Sequence, residues 1–351
     1  MRITNSMLAT NSVWNLNNNL QRLNEAQEQM STQCKIQLPS DDPIVATRAI
    51  KYRNYVATVE HYQSNVDDAI SWMDVTENAL TNLNDVIQRT RELTVQASNS
   101  TMTVDDKASI AKEMAELKEQ TLQIMNTSYA GRYVLGGYNT DQEPYTTDDD
   151  GKVLFQGKYL NITGPLASSI SETDYADFCI TNIGDMYEEG EDETIKYNIG
   201  YGNQLAVNVE GQDIIGQTAG GNLFASFDKL LLGLDGDTTY KTAEIDSSTS
   251  PASVTFASQD FELDDILDDL DTDLNRVLSA LSDIGARSNY AAMTKNRLSN
   301  DEITYTKLMS NNEDIDVAEA TINVSTAQSV YEAALNVSAK VISKSLLDFI
   351  R

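Results

Sequence analysis

Histidine, cysteine, proline and basic residues are all scarce in this chain of 351 residues. One histidine, His61, cannot supply a metal site built from several histidines. The two cysteines, Cys34 and Cys179, lie too far apart in the sequence to indicate a disulfide framework. No P-loop, GxGxxG or GxSxG motif occurs. The sequence therefore predicts no enzyme, no cofactor and no metal centre.

Long apolar runs are also missing. No stretch approaches the roughly 18 apolar residues that a membrane helix needs. The first residues, MRITNSMLATNSVWNLNNN, lack the apolar block of a cleavable signal peptide. Only five prolines occur, which leaves room for long uninterrupted helices. We expect a helical protein that does not span a membrane and that, if exported, keeps its N-terminus.

Acidic residues are abundant: 54 Asp and Glu stand against 25 Lys and Arg, for a formal net charge of -29. Nucleic-acid affinity comes mainly from Lys and Arg that displace counterions, so nucleic acid and anionic membrane surfaces are excluded as partners. Residues 140–275 hold 29 acidic residues against 5 lysines, whereas the flanks are nearly balanced. This imbalance predicts an acidic segment inserted into a different scaffold. Within it, the run at 260–273 lacks EF-hand spacing and is interpreted as a solvated helix start, not a calcium site.

Apolar residues near both ends recur with alternating spacings of three and four, which keeps one stripe of a helix against a partner helix. We predict a self-assembly seam from these residues: Val13, Leu16, Leu20, Leu23, Met30, Val324, Ala327, Tyr331, Ala334 and Val341. The C-terminal helix has a second stripe: Leu335, Ser338, Ile342, Ser345 and Phe349. Two stripes on one helix indicate more than one neighbour. The stripes could form a core within one chain, but we favour packing between copies of the chain.

The segment LPSDDPIV predicts a turn followed by a helix start at Asp41, Asp42 and Pro43. An Asp side chain at position 42 can accept a free backbone N–H as N-cap, and Pro has no N–H to leave unpaired at the first helical position. Two interpretations stay open. The turn is either a helix cap only, or a shaped connection that the next subunit packs against.

The helix that starts there carries an apolar register that is interrupted only at about residue 98. Its second half is predicted to be buried at Ala69, Trp72, Thr76, Ala79, Leu83, Val86, Thr90, Leu93 and Ala97. Thr103 with Asp106 predicts the N-cap of another helix. From about 130 the pattern changes to strand-like runs, with an Asp-Gly turn at 148–151, one short helix in NLFASFDKLLLGL and an end near residue 256.

The predicted fold class is mainly α with a β-rich insertion, in which long antiparallel coiled-coil arms come from both termini. We divide it into terminal arms at 1–40 and 312–351, a helical rod at 41–139 and 258–311, and an acidic β-rich outer domain at 140–257. The arms are distant in sequence, so their pairing carries a loop-closure cost.

Several segments resemble the flagellin superfamily. They are MRITNSM, MSTQCKIQLPSDDPIVATRAI, SDIGARSNY, EDIDVAEA and SLLDFIR. Within that superfamily, two segments are similar to the family of hook–filament junction proteins: PSDDP at 39–43 and GRYVLGGYNTDQEPY at 131–145. Flagellins, in contrast, typically carry a DDAAG-like sequence at the position of PSDDP. The resemblance covers roughly residues 1–140 and 260–351.

The resemblance implies a structural, non-enzymatic protein of the bacterial flagellum. Its subunits would be exported unfolded by the flagellar type III apparatus, with help from an export chaperone. They would then assemble with copies of themselves, with the hook-side junction protein and with flagellin, with the arms inside and the insert outside. Alternatives are a filament flagellin and, from another class, an adhesin-like surface binding module whose insert binds the ligand.

Overall fold

The computed structural model describes residues 5–98, 102–148, 150–187, 193–216, 221–246, 253–261 and 263–349. The chain divides into two compact units, which we call unit 1 and unit 2. Unit 1 comprises Met1–His61 with Arg297–Arg351, and unit 2 comprises Tyr62–Asn296. The three-part division that charge and periodicity suggested stays a prediction.

Helices dominate the described chain. Their bounds are α1 Asn5–Thr32, α2 Pro43–Ala97, α3 Val104–Met125, α4 Glu172–Thr181, α5 Gly211–Ile215, α6 Leu223–Asp235, α7 Leu263–Glu313 and α8 Val317–Phe349. A short 3-10 helix spans Ile183–Asp185. Long terminal helices with small antiparallel sheets in the middle confirm the predicted fold class.

The described residues of the middle of the chain include ten short strands. They are β1 Ser128–Tyr129, β2 Arg132–Tyr133, β3 Tyr145–Thr147, β4 Val153–Phe155, β5 Lys158–Tyr159, β6 Leu166–Ala167, β7 Lys196–Gly200, β8 Asn203–Ala206, β9 Thr239–Asp246 and β10 Ser253–Asp260. They form four sheets, β1-β2, β3-β4-β5, β7-β8 and β10-β9-β6, in which every neighbouring pair is antiparallel.

Capping residues set several helix ends, among them the one predicted at Thr103. Thr103 Oγ1 accepts the N–H of Asp106, and the Asp106 carboxylate accepts the N–H of Thr103, which is a complete capping box at the start of α3. Asn222 Oδ1 accepts the N–H of Ala225 at 2.8 Å and begins α6. Gly236, at φ 100°, ends α6 in the left-handed region that favours glycine.

The core of unit 2 includes the apolar positions predicted in the second half of α2. All nine residues predicted for that register are buried: Ala69, Trp72, Thr76, Ala79, Leu83, Val86, Thr90, Leu93 and Ala97. Ion pairs at the surface place α2 beside both neighbours: Arg89 pairs with Glu113 of α3 at 2.7 Å, and Arg91 pairs with Asp271 of α7 at 2.8 Å. The heptad prediction therefore located this core.

A second cluster of buried residues lies among the strands and α4. It contains Ile162, Leu166, Tyr175, Cys179 and Ala243. α4 is not predicted by the sequence, because only Tyr175, Phe178 and Cys179 of its ten residues contribute to this packing, too few for a visible period. The β-rich region was predicted to end near residue 256, whereas β10 continues to Asp260 because its last residues pair with β9.

The predicted Asp-Gly turn is confirmed between β3 and β4. Gly151, at φ 76°, donates its N–H to the carbonyl of Asp148 at 2.9 Å. Asp148 in turn donates its N–H to the carbonyl of Lys152. Asp149 lies outside the described residues.

Candidate functional site

The terminal helices pair in unit 1. α1 packs along α8 in an antiparallel sense, since Cys34 bridges Asp314 at one end and Trp14 lines the same groove as Val337 further along. Leu23, Ala320 and Ser338 are buried in this pair. The pair is therefore held by a narrow stripe that includes small and polar residues.

The predicted seam residues are only partly covered. Leu23 is buried, whereas Leu16, Val324, Ala327, Tyr331 and Ala334 are half-buried. Val13, Leu20 and Met30 are exposed. Val341 lies in α8, but its side chain is outside the described part of the structure, as are Ile342, Ser345 and Phe349 of the second stripe. The structure thus brings the two seams together, and their role in self-assembly stays a prediction.

Large apolar side chains stand uncovered outside the stripe. Trp14 is 65% exposed, Ile322 is 65% exposed and Val337 is 60% exposed. Because successive helix positions differ by about 100°, Ile322 and Val337 cannot share the face of Ala320 and Val324. A groove of about 540 Å³ runs beside the helix pair, with Trp14 and Val337 in its lining. Unit 1 therefore presents apolar surface on several faces.

Two aspartate-capped turns connect the terminal helices to the long ones. Asp42 Oδ1 accepts the N–H groups of Ile44 at 2.9 Å and Val45 at 3.2 Å, and α2 begins at Pro43. The cap predicted at Asp42 and Pro43 is therefore present. Asp41 has a different part in the same turn, because its Oδ2 accepts the N–H of Leu38 at 2.9 Å.

The same device starts the last helix. Asp316 Oδ1 accepts the N–H of Ala318 at 2.9 Å and that of Glu319 at 3.4 Å, and α8 begins at Val317. An Asp at an N-cap also lies at the positive end of the helix dipole. Each arm is thus joined to its long helix through a turn that ends in an aspartate cap.

The two turns are joined to each other by backbone hydrogen bonds. Lys35 donates its N–H to the carbonyl of Glu313 at 2.7 Å, and Ile315 donates its N–H to the carbonyl of Gln33 at 3.0 Å. Between them, Cys34 pairs with Asp314 as an antiparallel bridge. We call the segments 33–42 and 311–316 the paired turns. Gln33 takes a φ of 57°, so the chain bends sharply on entering them.

An ion pair holds the long helices beside the paired turns. Arg53 of α2 donates from Nε at 3.2 Å and from its terminal nitrogen at 2.5 Å to Glu313 Oε2 at the end of α7. The Glu313 side chain is 10% exposed and that of Arg53 is 64% exposed. The hydrogen bond that Arg53 donates to Glu313 raises the pKa of Arg53 above its ordinary value. Asn312 adds a bond to the carbonyl of Val45 at 3.0 Å.

Sequence reasoning missed Arg53 and Glu313. They lie 260 residues apart, and neither stands at a predicted seam position. The one available signal was the position of Glu313 at the start of EDIDVAEA, a segment already matched to the superfamily. No local pattern could pair it with Arg53.

The residues considered for chemistry are dispersed. His61 is exposed, Cys34 is half-buried and Cys179 is buried, and both cysteines are free. No group of three or more His, Cys, Asp or Glu side chains in the described residues is placed to hold a metal ion. None of the described helices is both long enough and apolar enough to span a membrane.

One buried carboxyl in unit 2 has an altered acidity. Asp273 of α7 is 1% exposed, and it accepts hydrogen bonds from Arg276 and from Ser226 Oγ of α6 at 3.2 Å. Burial raises the pKa of Asp273 to about 7, although Arg276 and Ser226 both act to lower it. The group fastens α6 to α7 inside the core.

Known proteins match this chain at both ends and along most of its length. The family of the bacterial flagellin N-terminal helical region matches residues 3–140, and that of the bacterial flagellin C-terminal helical region matches residues 267–350. Together these matches cover more than half of the chain.

Among curated relatives, flagellar hook-associated protein 3 of Escherichia coli (strain K12) is 26% identical over 329 residues, which span 90% of this chain and 89% of the relative. Flagellin of Clostridium tyrobutyricum is 31% identical over 128 residues, which span 36% of this chain and 34% of the relative.

Among solved structures, one described as a flagellar hook-associated protein from Vibrio parahaemolyticus matches with a TM-score of 0.58 and 16% identity. It covers 78% of this chain and 100% of that chain. At this identity the likeness supports the fold alone. Flagellar hook-associated protein 3 of Escherichia coli is a relative that the chain matches along nearly its whole length, and the chain belongs to the flagellin family.

Proposed function

We propose that this protein is a structural subunit of the bacterial flagellum that forms the junction between hook and filament. It does no chemistry. Copies of the chain pack through α1 and α8, and the assembled ring contacts the hook-side junction protein at one end and flagellin at the other. The single observation that carries the proposal is the apolar surface of unit 1 that the helix pair leaves uncovered.

The energetics favour assembly. Fully burying a large apolar side chain contributes about 1.5–3 kcal/mol. Trp14, Ile322 and Val337 each have more than half of their surface still in contact with solvent. A neighbour that covers a few such residues supplies enough free energy to order the arms and hold the subunits together. Asn and Ser residues between the apolar positions keep the free arms soluble during export.

Export and the outer surface complete the proposal. The subunit leaves the cell unfolded through the flagellar type III apparatus, bound beforehand by an export chaperone, and its N-terminus is not cleaved. The acidic insert faces outward, where its charge keeps the surface hydrated and repels other filaments. Nucleic acid and membranes are not partners.

The deciding experiment uses a strain without the gene. It should build hooks but release flagellin into the medium, and the wild-type gene should restore filaments. A filament flagellin would instead be present in many copies along each flagellum, so counting copies per flagellum separates these two functions. An adhesin should lose its ligand when residues 145–255 are deleted, whereas a junction subunit should still assemble.

Complementation with matched variants then tests the surface. Ile322→Asn should leave hooks that shed flagellin, because it removes an uncovered apolar group of α8. Thr321→Asn, at an exposed neighbouring position, should restore filaments. Full motility with Ile322→Asn would contradict the proposed packing, as would strong amide protection of both terminal helices in the isolated subunit.

A further inference from the structure

A cavity of about 840 Å³ lies in unit 2. The apolar part of its wall comes from β6, from the loop before α4 and from α6: Leu166, Ile170, Leu231 and Leu232. Tyr175 and Phe178 of α4 add aromatic surface, and Lys152 lies beside them. The volume suits a small organic molecule.

Lys152 is held by two aromatic rings. Its ammonium lies 4.5 Å from the ring centroid of Tyr175 and 5.5 Å from that of Phe178. It also donates a hydrogen bond to Tyr175 Oη. The Tyr175 hydroxyl donates its own proton to the carbonyl of Ile162 at 2.8 Å, so it meets Lys152 as an acceptor. An ammonium has three hydrogens, and this contact uses one of them.

The ammonium has no carboxylate partner among the described residues. Asp228, which also lines the cavity, forms an ion pair with Lys118, in which Lys118 Nζ lies 2.6 Å from Asp228 Oδ1. Burial lowers the pKa of Lys152 below its ordinary value, as expected where water is removed without a full counter-charge. Lys152 is half-buried, and a cation that is partly withdrawn from water is stabilised by pairing, so its remaining hydrogens suit an anionic acceptor.

The rim limits which anion can enter. Asp150, Asp174 and Asp235 line the cavity and are exposed. Their negative charge disfavours phosphates and other polyanions, whereas a single carboxylate is tolerated because exposed charges are screened by salt. The apolar walls favour a ligand with a hydrocarbon body.

We propose that this cavity binds a small amphipathic monocarboxylate, with the carboxylate on Lys152 and the apolar body against Leu166, Ile170, Leu231 and Leu232. This site is separate from the assembly surface, so it does not depend on the proposed function. The carboxylate would accept the ammonium hydrogens that Tyr175 leaves free.

The test is a calorimetric titration of the full chain with octanoate, used as the probe. We expect saturable binding with a Kd of about 0.1–1 mM, which is typical of a small ligand with one ionic contact. Lys152→Gln should weaken binding about tenfold or more, because a neutral amide replaces the cation. Lys158→Gln, at an exposed lysine of β5, is the matched control and should bind as the wild type does.

A second arm protects the test against a misfolded variant. The wild type is titrated with 1-octanol, which keeps the apolar body and lacks the carboxylate, and it should bind about tenfold more weakly than octanoate. Equal affinity for the two probes overturns the proposal, as does an absence of saturable octanoate binding up to about 10 mM. Unchanged octanoate affinity in a folded Lys152→Gln variant also overturns it.

Discussion

The ion pair between Arg53 and Glu313 offers the sharpest test of how the paired turns are held. Replacing Arg53 with Met leaves the Glu313 carboxylate in a site where its side chain is 10% exposed and where Oε1 already lacks a partner among the described residues. Hydrogen bonds to charged groups contribute about 1.5–3 kcal/mol, and we expect Arg53→Met to lose stability in that range.

The reverse change should be milder. Glu313→Met leaves no charge unpaired in a buried position, and Arg53, whose side chain is 64% exposed, can be hydrated in its absence. The double variant should therefore resemble Glu313→Met. The coupling free energy in a double-mutant cycle should therefore equal the effect of Arg53→Met, about 1.5–3 kcal/mol.

Native-state hydrogen exchange is the appropriate assay, because a chain with two compact units need not unfold in one step. The amides of Lys35 and Ile315 report directly, since both donate the backbone bonds that join the paired turns. Their opening free energies should fall together in Arg53→Met.

A matched control exists in unit 2. Asp67 and Lys295 pair at 2.8 Å, and both side chains are 52% exposed. Exposed pairs contribute about 0–1 kcal/mol, so the same cycle on this pair should show weak coupling. If the Arg53–Glu313 coupling is no larger than that of the control, burial of Glu313 does not anchor the paired turns and the reasoning fails.

Three further predictions concern single positions. Gly211→Ala should destabilise unit 2 by about 1–3 kcal/mol in a urea titration, because its Cβ would overlap Tyr145 Oη, whereas Gly184→Ala meets nothing within 4 Å and should be nearly neutral. Asp273 has a pKa of about 7 in the folded chain against about 3.9 in the unfolded chain, so the folded state binds its proton more tightly and stability should fall as pH rises from about 4 to about 7. Asp273→Asn should remove this difference between the free energies of unfolding measured at pH 4 and pH 7. Asp42→Ala should cost about 1 kcal/mol in thermal unfolding and impair assembly more strongly; equal effects would reduce the turn to a cap.

The sequence predicted the helical part well because its packing is periodic. The nine buried positions of α2, the capping box at Thr103 and the cap at Asp42 are all local or repeating features. Helix periodicity and capping depend on neighbours three or four positions away, which a single sequence displays directly.

What the sequence could not show are contacts between distant residues. Arg53 meets Glu313, and Lys152 enters an aromatic site built by α4, only because the fold brings them together. Asp273 illustrates the same limit: it stands in an acidic run that suggests a solvated surface, yet it is buried against α6. A net charge pattern does not reveal which single carboxylate turns inward.

The long separation of the terminal helices along the chain does not by itself explain why their seam is incomplete. α1 and α8 are separated by most of the chain, but closure entropy grows only with the logarithm of loop length, by about 0.6 kcal/mol for each doubling. The long separation therefore does not prevent the helices from pairing. Its free-energy cost is modest, and the paired turns together with the narrow stripe around Leu23 and Ser338 can offset it. A wider apolar seam would make the isolated subunit more stable, but it would leave less uncovered surface for neighbouring copies. Residues such as Trp14 and Ile322, uncovered in one chain, are thus what we expect where final packing is left to assembly.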